Sequence, residues 1–375
     1  MSTSTIVAVD DGYALIKCAY WGVDGKLTCL SIPSAAVRGR LVSDGDDRSA
    51  GAYSVGVDER GATVEFTIAS RGISGDIEPT RIANFPESDL NRALVHHVLV
   101  RAGFGGQNIV LGTALPMRGY FVPGAQASKI ESLAKPVTSL GGQPVANIAH
   151  QHVYAQALSA WVDHVIDENG EPIIEKSSLG TVDRRDLVVG VVDVGGRTTD
   201  FAVIWVTDGE PMLSRQQSGS VDLGMLDVMA RLKPAVNQKF GLNDITELQL
   251  ENALRTGVIR LWGEDNDVRE LIAEAATDTA RRLVTEVQRA LGSGSNLDRM
   301  LFVGGGSVVL REALAREYQH IVVSDEPGFA NARGMLKYMT FIDPKAKSNA
   351  ASASEGGRGS SDGVVPLSSR RNAGA

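Results

Sequence analysis

The sequence predicts an α/β fold in which one strand-rich unit is used twice. Three observations carry this. Short apolar strand signals alternate with longer helical ones along residues 6–342. The segments IVAVDDGYALIKCAYWGVDGKLTCL, from Ile6, and VGVVDVGGRTTDFAVIWVTDGEPML, from Val189, repeat one order: strand, acidic glycine turn, strand, Asp-Gly turn, strand. The chain has 375 residues, 43% hydrophobic and 22% charged, enough ordinary globular material for two domains.

The elements follow in order. Residues 6–10, 15–21 and 27–32 read as three strands joined by glycine-rich turns. A loop at 22–25 would set Cys18 opposite Cys29; two cysteines are too few for a disulfide framework, and reduced thiols are expected. Residues 90–102 read as a helix with Leu90, Leu94, Val98 and Ala102 on one face, and His96 and His97 within it are expected to be packing or surface residues. Residues 108–115 read as a buried strand and 152–165 as a helix. The second copy supplies strands at 188–194, 199–206 and 212–216, then long helices at 221–240 and 271–291. A strand at 300–303 opens into Gly304, Gly305 and Gly306 before a helix at 308–316. Residues 343–375 are rich in Ser, Gly and Ala, carry no aromatic residue, and are expected to be a disordered tail.

Composition narrows the function. Acids outnumber bases 45 to 37, for a net charge of −8, which disfavours a broad nucleic-acid surface. No apolar run approaches about 18 residues, so no membrane span is expected. The start MSTST lacks a basic leader region, and a cytoplasmic location is expected. There is no G-x-x-x-x-G-K-[ST], no G-x-G-x-x-G after the first strand, and no G-x-S-x-G. His150 and His152 would share a strand face but lack an evident third metal ligand.

The two acidic turns carry the chemistry. Asp10 and Asp193 each end an apolar strand; Gly12 and Gly195 follow two residues on, and Lys17 and Asp200 follow seven residues on. Glycine allows backbone N–H groups to approach an anion closely, and successive N–H groups form a phosphate nest. A carboxylate beside phosphates repels them unless a divalent cation intervenes. Asp10 and Asp193 therefore read as Mg²⁺ ligands acting through water. Lys17 supplies a point charge for the β- and γ-phosphates, and Gly195, Gly196, Arg197, Thr198 and Thr199 supply donors. Two such loops face to face would clamp a triphosphate between two domains. The Gly304–Gly306 loop suits the flat face of a nucleoside. Residues 219–224, with Gly224, suit ribose or base contacts, or a helix cap by Asp222.

These residues resemble the superfamily of actin, heat-shock chaperone and sugar kinase ATPases. Asp10-Asp11-Gly12 through Lys17 resembles its first phosphate motif, 149–157 its first connecting segment, and Asp193 through Asp200 its second phosphate motif. Gly219 through Gly224 resembles the start of its adenosine region, Gly304-Gly305-Gly306 its adenosine motif, and 330–339 its second connecting segment. The double acid Asp10-Asp11, the stretch 94–99, the run 109–117 and 331–336 resemble the plasmid-segregation actins of the ParM/StbA family.

The resemblance implies a duplicated RNase H-like, actin-like ATPase fold around a nucleotide cleft. Its domains would be 1–165, with 325–342 returning to it, and 166–324. It implies ATP, with GTP possible, and Mg²⁺ on Asp10 and Asp193. Asp11, Gly12, Lys17, Gly195, Gly196, Arg197, Thr198, Asp200, Gly224, Gly304, Gly305 and Gly306 would line the nucleotide. The archetype has a Glu in the first connecting segment; this chain offers His150-Gln151-His152, and Gln151 would position the attacking water, with His150 as the alternative. ATP would close the cleft and drive head-to-tail filament growth, and hydrolysis would weaken the polymer. A DNA-bound partition adaptor would capture filament ends, so plasmid DNA would move without direct contact. A sugar-type kinase, with Asp200 as base, and a chaperone-like nucleotide switch are the alternatives on this fold.

Overall fold

The computed structural model describes residues 4–40, 51–68, 77–80, 82, 84–173, 187–207, 210–316, 318 and 321–352. The first half contains β1 (Thr5–Asp11), β2 (Leu15–Trp21), β3 (Leu27–Pro33), β4 (Ala36–Arg38), β5 (Ala52–Val57), β6 (Thr63–Ile68), α1 (Asp89–Arg101), β7 (Asn108–Leu115), α2 (Met117–Tyr120), α3 (Ala125–Ala134), β8 (Thr138–Ser139), β9 (Asn147–Ala155) and α4 (Gln156–Val165). The second contains β10 (Leu187–Val194), β11 (Thr199–Thr207), β12 (Glu210–Val221), α5 (Met225–Phe240), α6 (Glu247–Thr256), β13 (Val258–Leu261), β14 (Glu264–Asp267), α7 (Arg269–Leu291), β15 (Arg299–Val303), α8 (Gly306–Ala315) and β16 (Ile321–Val323). Helices α9 (Ala330–Lys337) and α10 (Pro344–Ser352) follow.

The repeat seen in the sequence is a repeat of topology. One five-stranded sheet runs β3-β2-β1-β7-β9 and the other β12-β11-β10-β15-β16. In each, an antiparallel meander of three strands is extended by two parallel strands. The seven-residue spacing is a cross-strand pairing, with Asp10 opposite Lys17 and Asp193 opposite Asp200. A four-stranded sheet, β4-β6-β5-β8, stands beside the first.

Helices cover both faces of each large sheet. Val7, Val9 and Ile16 pack with Leu94 and Val98 of α1 and with Phe66 of the small sheet. The opposite face, Ala8 and Ala19, packs on Met335 and Leu336 of α9. Val192 and Phe302 pack on Leu232 of α5 and Leu283 of α7. Val191 and Ala202 pack on Ala160 and Trp161 of α4. Helices α4 and α9 therefore lie between the sheets. They approach so closely that a Cβ on Gly334 would collide with the Ser159 carbonyl. Asp163 of α4 holds Arg333 (Nη2 to Oδ2, 2.7 Å) and Lys337 (Nζ to Oδ1, 2.9 Å) of α9.

Several elements differ from the sequence reading. The turn after β2 pairs Trp21 with Leu27, so Cys18 faces Leu30 and Cys29 faces Ala19. A slip of one residue reverses the faces: Cys18 joins one core and Cys29 the other, and both are free thiols. Residues 152–155, expected to be helical, complete β9, because β7 pairs with it through Leu115 and Ala155. Helix α5 begins at Met225 rather than 221, since Val221 still pairs with Thr199 and the Gly224 N–H donates to Asp227 at 2.9 Å. Residues 344–352 of the expected tail form α10. The Asp343 carboxylate caps it through the Lys345 N–H at 2.8 Å, accepts the Tyr154 hydroxyl at 2.7 Å, and Ala346 is fully buried. Composition does not register such a cap and docking surface. Residues 353–375 lie outside the described residues. No described helix is long and apolar enough to cross a membrane.

Burial holds His96 and His97 of α1 near a pKa of about 4, with Arg92 and Arg101 adding to the effect. His97 Nδ1 meets the Tyr53 hydroxyl at 3.0 Å. Neutral in the fold, both take a proton more readily when unfolded. Their contribution is complete above pH 6.5 and drains away as pH falls toward about 4. Denaturant midpoints should therefore drop between these limits, and the drop should flatten in the His96→Gln/His97→Gln double variant. A slope equal to that of the parent would remove these histidines from the acid response.

Candidate functional site

Both strand-end acids are buried where the two sheets meet: Asp10 is 2% exposed and Asp193 5%. Asp10 Oδ2 pairs with Lys17 Nζ at 3.2 Å, and Oδ1 accepts the Gln156 amide at 3.0 Å. Asp193 Oδ2 accepts the Asn331 amide at 2.6 Å. Burial first, and then the charge of Asp10, push the Asp193 carboxyl up to about 6, against the pull of Lys17 and Asn331. The charge of Asp10 is thus felt at Asp193 across the junction of the duplicated units. Burial, aided by the Asp193 charge, also lifts Asp200 to about 7, against hydrogen bonds from Ser220, Met117 and Thr198.

Glycines let the loops meet. A Cβ on Gly196 would collide with Ala14, so the two acidic turns touch directly. On Gly224 it would fall 2.5 Å from the Gly196 carbonyl, which accepts the Leu226 N–H at 2.8 Å. Gly304 combines a φ of +81° with contact against the Asp193 carboxylate, where only glycine fits. Gly306 is packed against Val194, whereas nothing lies within 4 Å of the Cβ direction of Gly305. Gly12 accepts the Ser34 hydroxyl at 2.6 Å through its carbonyl.

Not every expected residue joins this cluster. Asp11 follows Asp10 on a strand and points to the opposite face. There Lys129 Nζ holds it at 2.6 and 2.8 Å and Asn91 at 2.7 Å, while burial pushes its carboxyl up despite Lys129. Gln151 donates to the Ile130 carbonyl of α3 at 3.3 Å. His150 shares the strand face of His152, whose Nε2 meets Asn349 of α10 at 3.1 Å. The glutamine at Asp10 is Gln156, the first residue of α4. Arg197 lies 5.2 Å over the Tyr13 ring, donates to the Ile82 carbonyl at 3.2 Å and pairs with Asp222 at 3.7 Å. It ties the loops together, and Asp222 pairs with it rather than capping the helix. Among the described residues no group of three His, Cys, Asp or Glu could enclose a metal unaided. Gln156, Asn331 and Lys129 were not singled out by sequence. The first two stand inside the connecting segments 149–157 and 330–339, which carried the signal.

Two duplicated β-sheets, each ending a central strand in an acid at a shared junction, define the actin-like fold, and this chain has it. Residues 191–316 match the model of the archaeal actin homologue MreB-like family, C-terminal part. A 15-stranded ParM filament structure from Clostridium botulinum is similar at 20% identity and TM-score 0.67, over 90% of this chain and 99% of that one. The archaeal actin homologue Ta0583 in complex with ADP is similar at 20% identity and TM-score 0.67, over 88% and 97%. Bacillus thuringiensis ParM with ATP is similar at 14% identity and TM-score 0.60, over 89% and 98%. No curated protein matches the sequence.

Proposed function

We propose that this chain is a cytoplasmic, filament-forming ATPase that segregates plasmid DNA, binding ATP (or GTP) with Mg²⁺ between the Asp10 and Asp193 loops. The observation that carries this is the pair of buried acids at the ends of matching strands in duplicated sheets, with Lys17 and Gln156 on one and Asn331 on the other. The two halves act as domains, 1–165 with 325–342 and 166–324, and the nucleotide binds at their junction. Filament and nucleotide-complex structures among the similar proteins support the reading.

The donor set fits a hydrated divalent cation. Two carboxylates are hard ligands, and since no group of three His, Cys, Asp or Glu stands together among the described residues, Asp10 and Asp193 would hold the cation through water. Mg²⁺, when bound, neutralises charge on the β- and γ-phosphates. Lys17 adds a point charge from the Asp10 side. Backbone N–H groups of Gly12 and Gly196 cradle phosphate oxygens. The Gly195 N–H is instead held by the Thr198 carbonyl at 2.9 Å and the Thr198 hydroxyl by Asp200 at 3.4 Å, so the expected phosphate contacts of Gly195 and Thr198 are not made by these groups. Gly305 presents bare backbone to the nucleoside. Gln156 orients the attacking water; an amide takes up no proton at neutral pH, so it positions rather than acts as a base. Loop closure through Arg197, Tyr13 and Gly196 gives the form that adds head to tail. An adaptor bound to DNA contacts the filament end, in keeping with the net charge of −8.

With ATP and Mg²⁺, the purified chain at tens of micromolar should scatter light and sediment, and EDTA should prevent both. A chain that stays in the supernatant with ATP, GTP and AMPPNP alike overturns the filament reading. Gln156→Ala should slow phosphate release at least about tenfold, whereas Gln151→Ala should leave it within about twofold. The opposite ranking would return the water to Gln151.

A further inference from the structure

The residue seven positions after each strand-end acid takes different partners in the two copies. In the first it is Lys17, paired with Asp10 at 3.2 Å. In the second it is Asp200, whose like charge offers Asp193 nothing. Its Oδ1 accepts the backbone N–H of Met117 at 2.8 Å and the Ser220 hydroxyl; its Oδ2 accepts the Thr198 hydroxyl at 3.4 Å. Ser220, directly opposite Asp200 in the β11–β12 ladder, accepts the N–H of Arg118 at 3.0 Å. Met117 and Arg118 follow β7 in the first half; Asp200 and Ser220 belong to the second. Pro116, just before them, makes no side-chain cap. Two successive donors that the first half leaves open are closed by acceptors from the second. Met117 is fully buried and Asp200 is 3% exposed, so solvent does not substitute for this contact.

We propose that Asp200 is a positioning residue that docks the second half onto the first, and that its oxygens serve Met117 and Ser220 rather than nucleotide or metal. Asp200 stands opposite Asp193 in the β10–β11 ladder. Its grip on Met117 therefore fixes where the Asp193 carboxylate stands relative to Asp10. Duplication supplied one position twice; one copy tunes the charge at the site and the other joins the halves. The contact stands on geometry alone, and its effect on turnover rests on the ATPase reading above.

The test uses the full chain and two readouts, hydrogen exchange at the Met117 and Arg118 amides and steady-state phosphate release from ATP–Mg²⁺. In Asp200→Ala, exchange at Met117 should rise about tenfold or more, and kcat should fall by a similar factor with a smaller change in KM. Asp200→Asn keeps a carbonyl oxygen for Met117 and should restore both the protection and most of kcat. Ser220→Ala, on a half-buried strand position, should release the Arg118 amide alone. Unchanged exchange in Asp200→Ala overturns the proposal. So does an Asn variant with protected amides but turnover as poor as that of the Ala variant, since the charge would then act on the ligand. Should Asp200→Ala fail to fold, Asn and Ser220→Ala decide by the same two readouts. If the parent chain releases no phosphate, the ATPase reading falls, while the exchange results still decide the contact.

Discussion

Asp193→Asn should lower phosphate release at least about a hundredfold while raising the melting temperature of the nucleotide-free chain at pH 7.5. The two effects share one cause. The folded chain holds the Asp193 proton up to about pH 6, whereas the free carboxyl loses it near 3.8. Stability from this group is therefore complete below the lower value and is lost as pH rises through the upper one. At pH 7.5 the ionised acid lies buried against Asp10, at a cost on the order of 3 kcal/mol. Asparagine keeps an oxygen for Asn331 and removes that charge. Melting curves at pH 5 and 7.5, beside a phosphate-release assay, check both halves. A variant that is less stable at pH 7.5, or that hydrolyses ATP at the parent rate, removes Asp193 from the proposed metal role.

Asp163→Ala should be the most destabilising of the charge removals, by about 3–5 kcal/mol. Its carboxylate is 3% exposed and holds two cations of α9, Arg333 at 2.7 Å and Lys337 at 2.9 Å. Removing it strands both charges between the sheets, where the close approach at Gly334 leaves little freedom to re-pair. Glu326 is the internal control: it touches the same Arg333 at 3.4 Å but is 79% exposed. Glu326→Ala should cost under about 1 kcal/mol. Urea midpoints measured with a constant m-value separate the two. Equal losses would show that α9 is held by apolar packing, with the ion pairs incidental.

The doubled unit was legible because each copy ends an apolar strand in an acid and a glycine, and cross-strand register makes a seven-residue spacing visible. Asp10 and Asp193 were legible as a pair for that reason. Asp11 was legible in principle too, since neighbours on a strand face opposite ways, yet the double acid drew both into one motif. Gln151 was singled out because it stands where the archetype has a Glu in the first connecting segment; Gln156, within the stretch 152–165 read as one helix, was not. The pairing of β7 with β9 carries the strand on to Ala155 and places Gln156, not Gln151, at Asp10. The roles of Lys129, Asn331 and Asp163 depend on partners 118, 138 and 170 positions away. No local pattern encodes such contacts. In the small sheet Ala36–Arg38 and Thr138–Ser139 are too short to show a period, whereas the six-residue strands Ala52–Val57 and Thr63–Ile68 are long enough to show one and were passed over.

The return of α9 to the first sheet also sets an order of assembly during synthesis. The face formed by Ala8, Ala19 and Ala114 is covered by Ala332, Met335 and Leu336. The opening strands therefore leave the ribosome long before the helix that shields them. Until then a nascent chain presents a bare apolar surface, a natural handle for chaperones and a point at which arrested translation would yield sticky fragments.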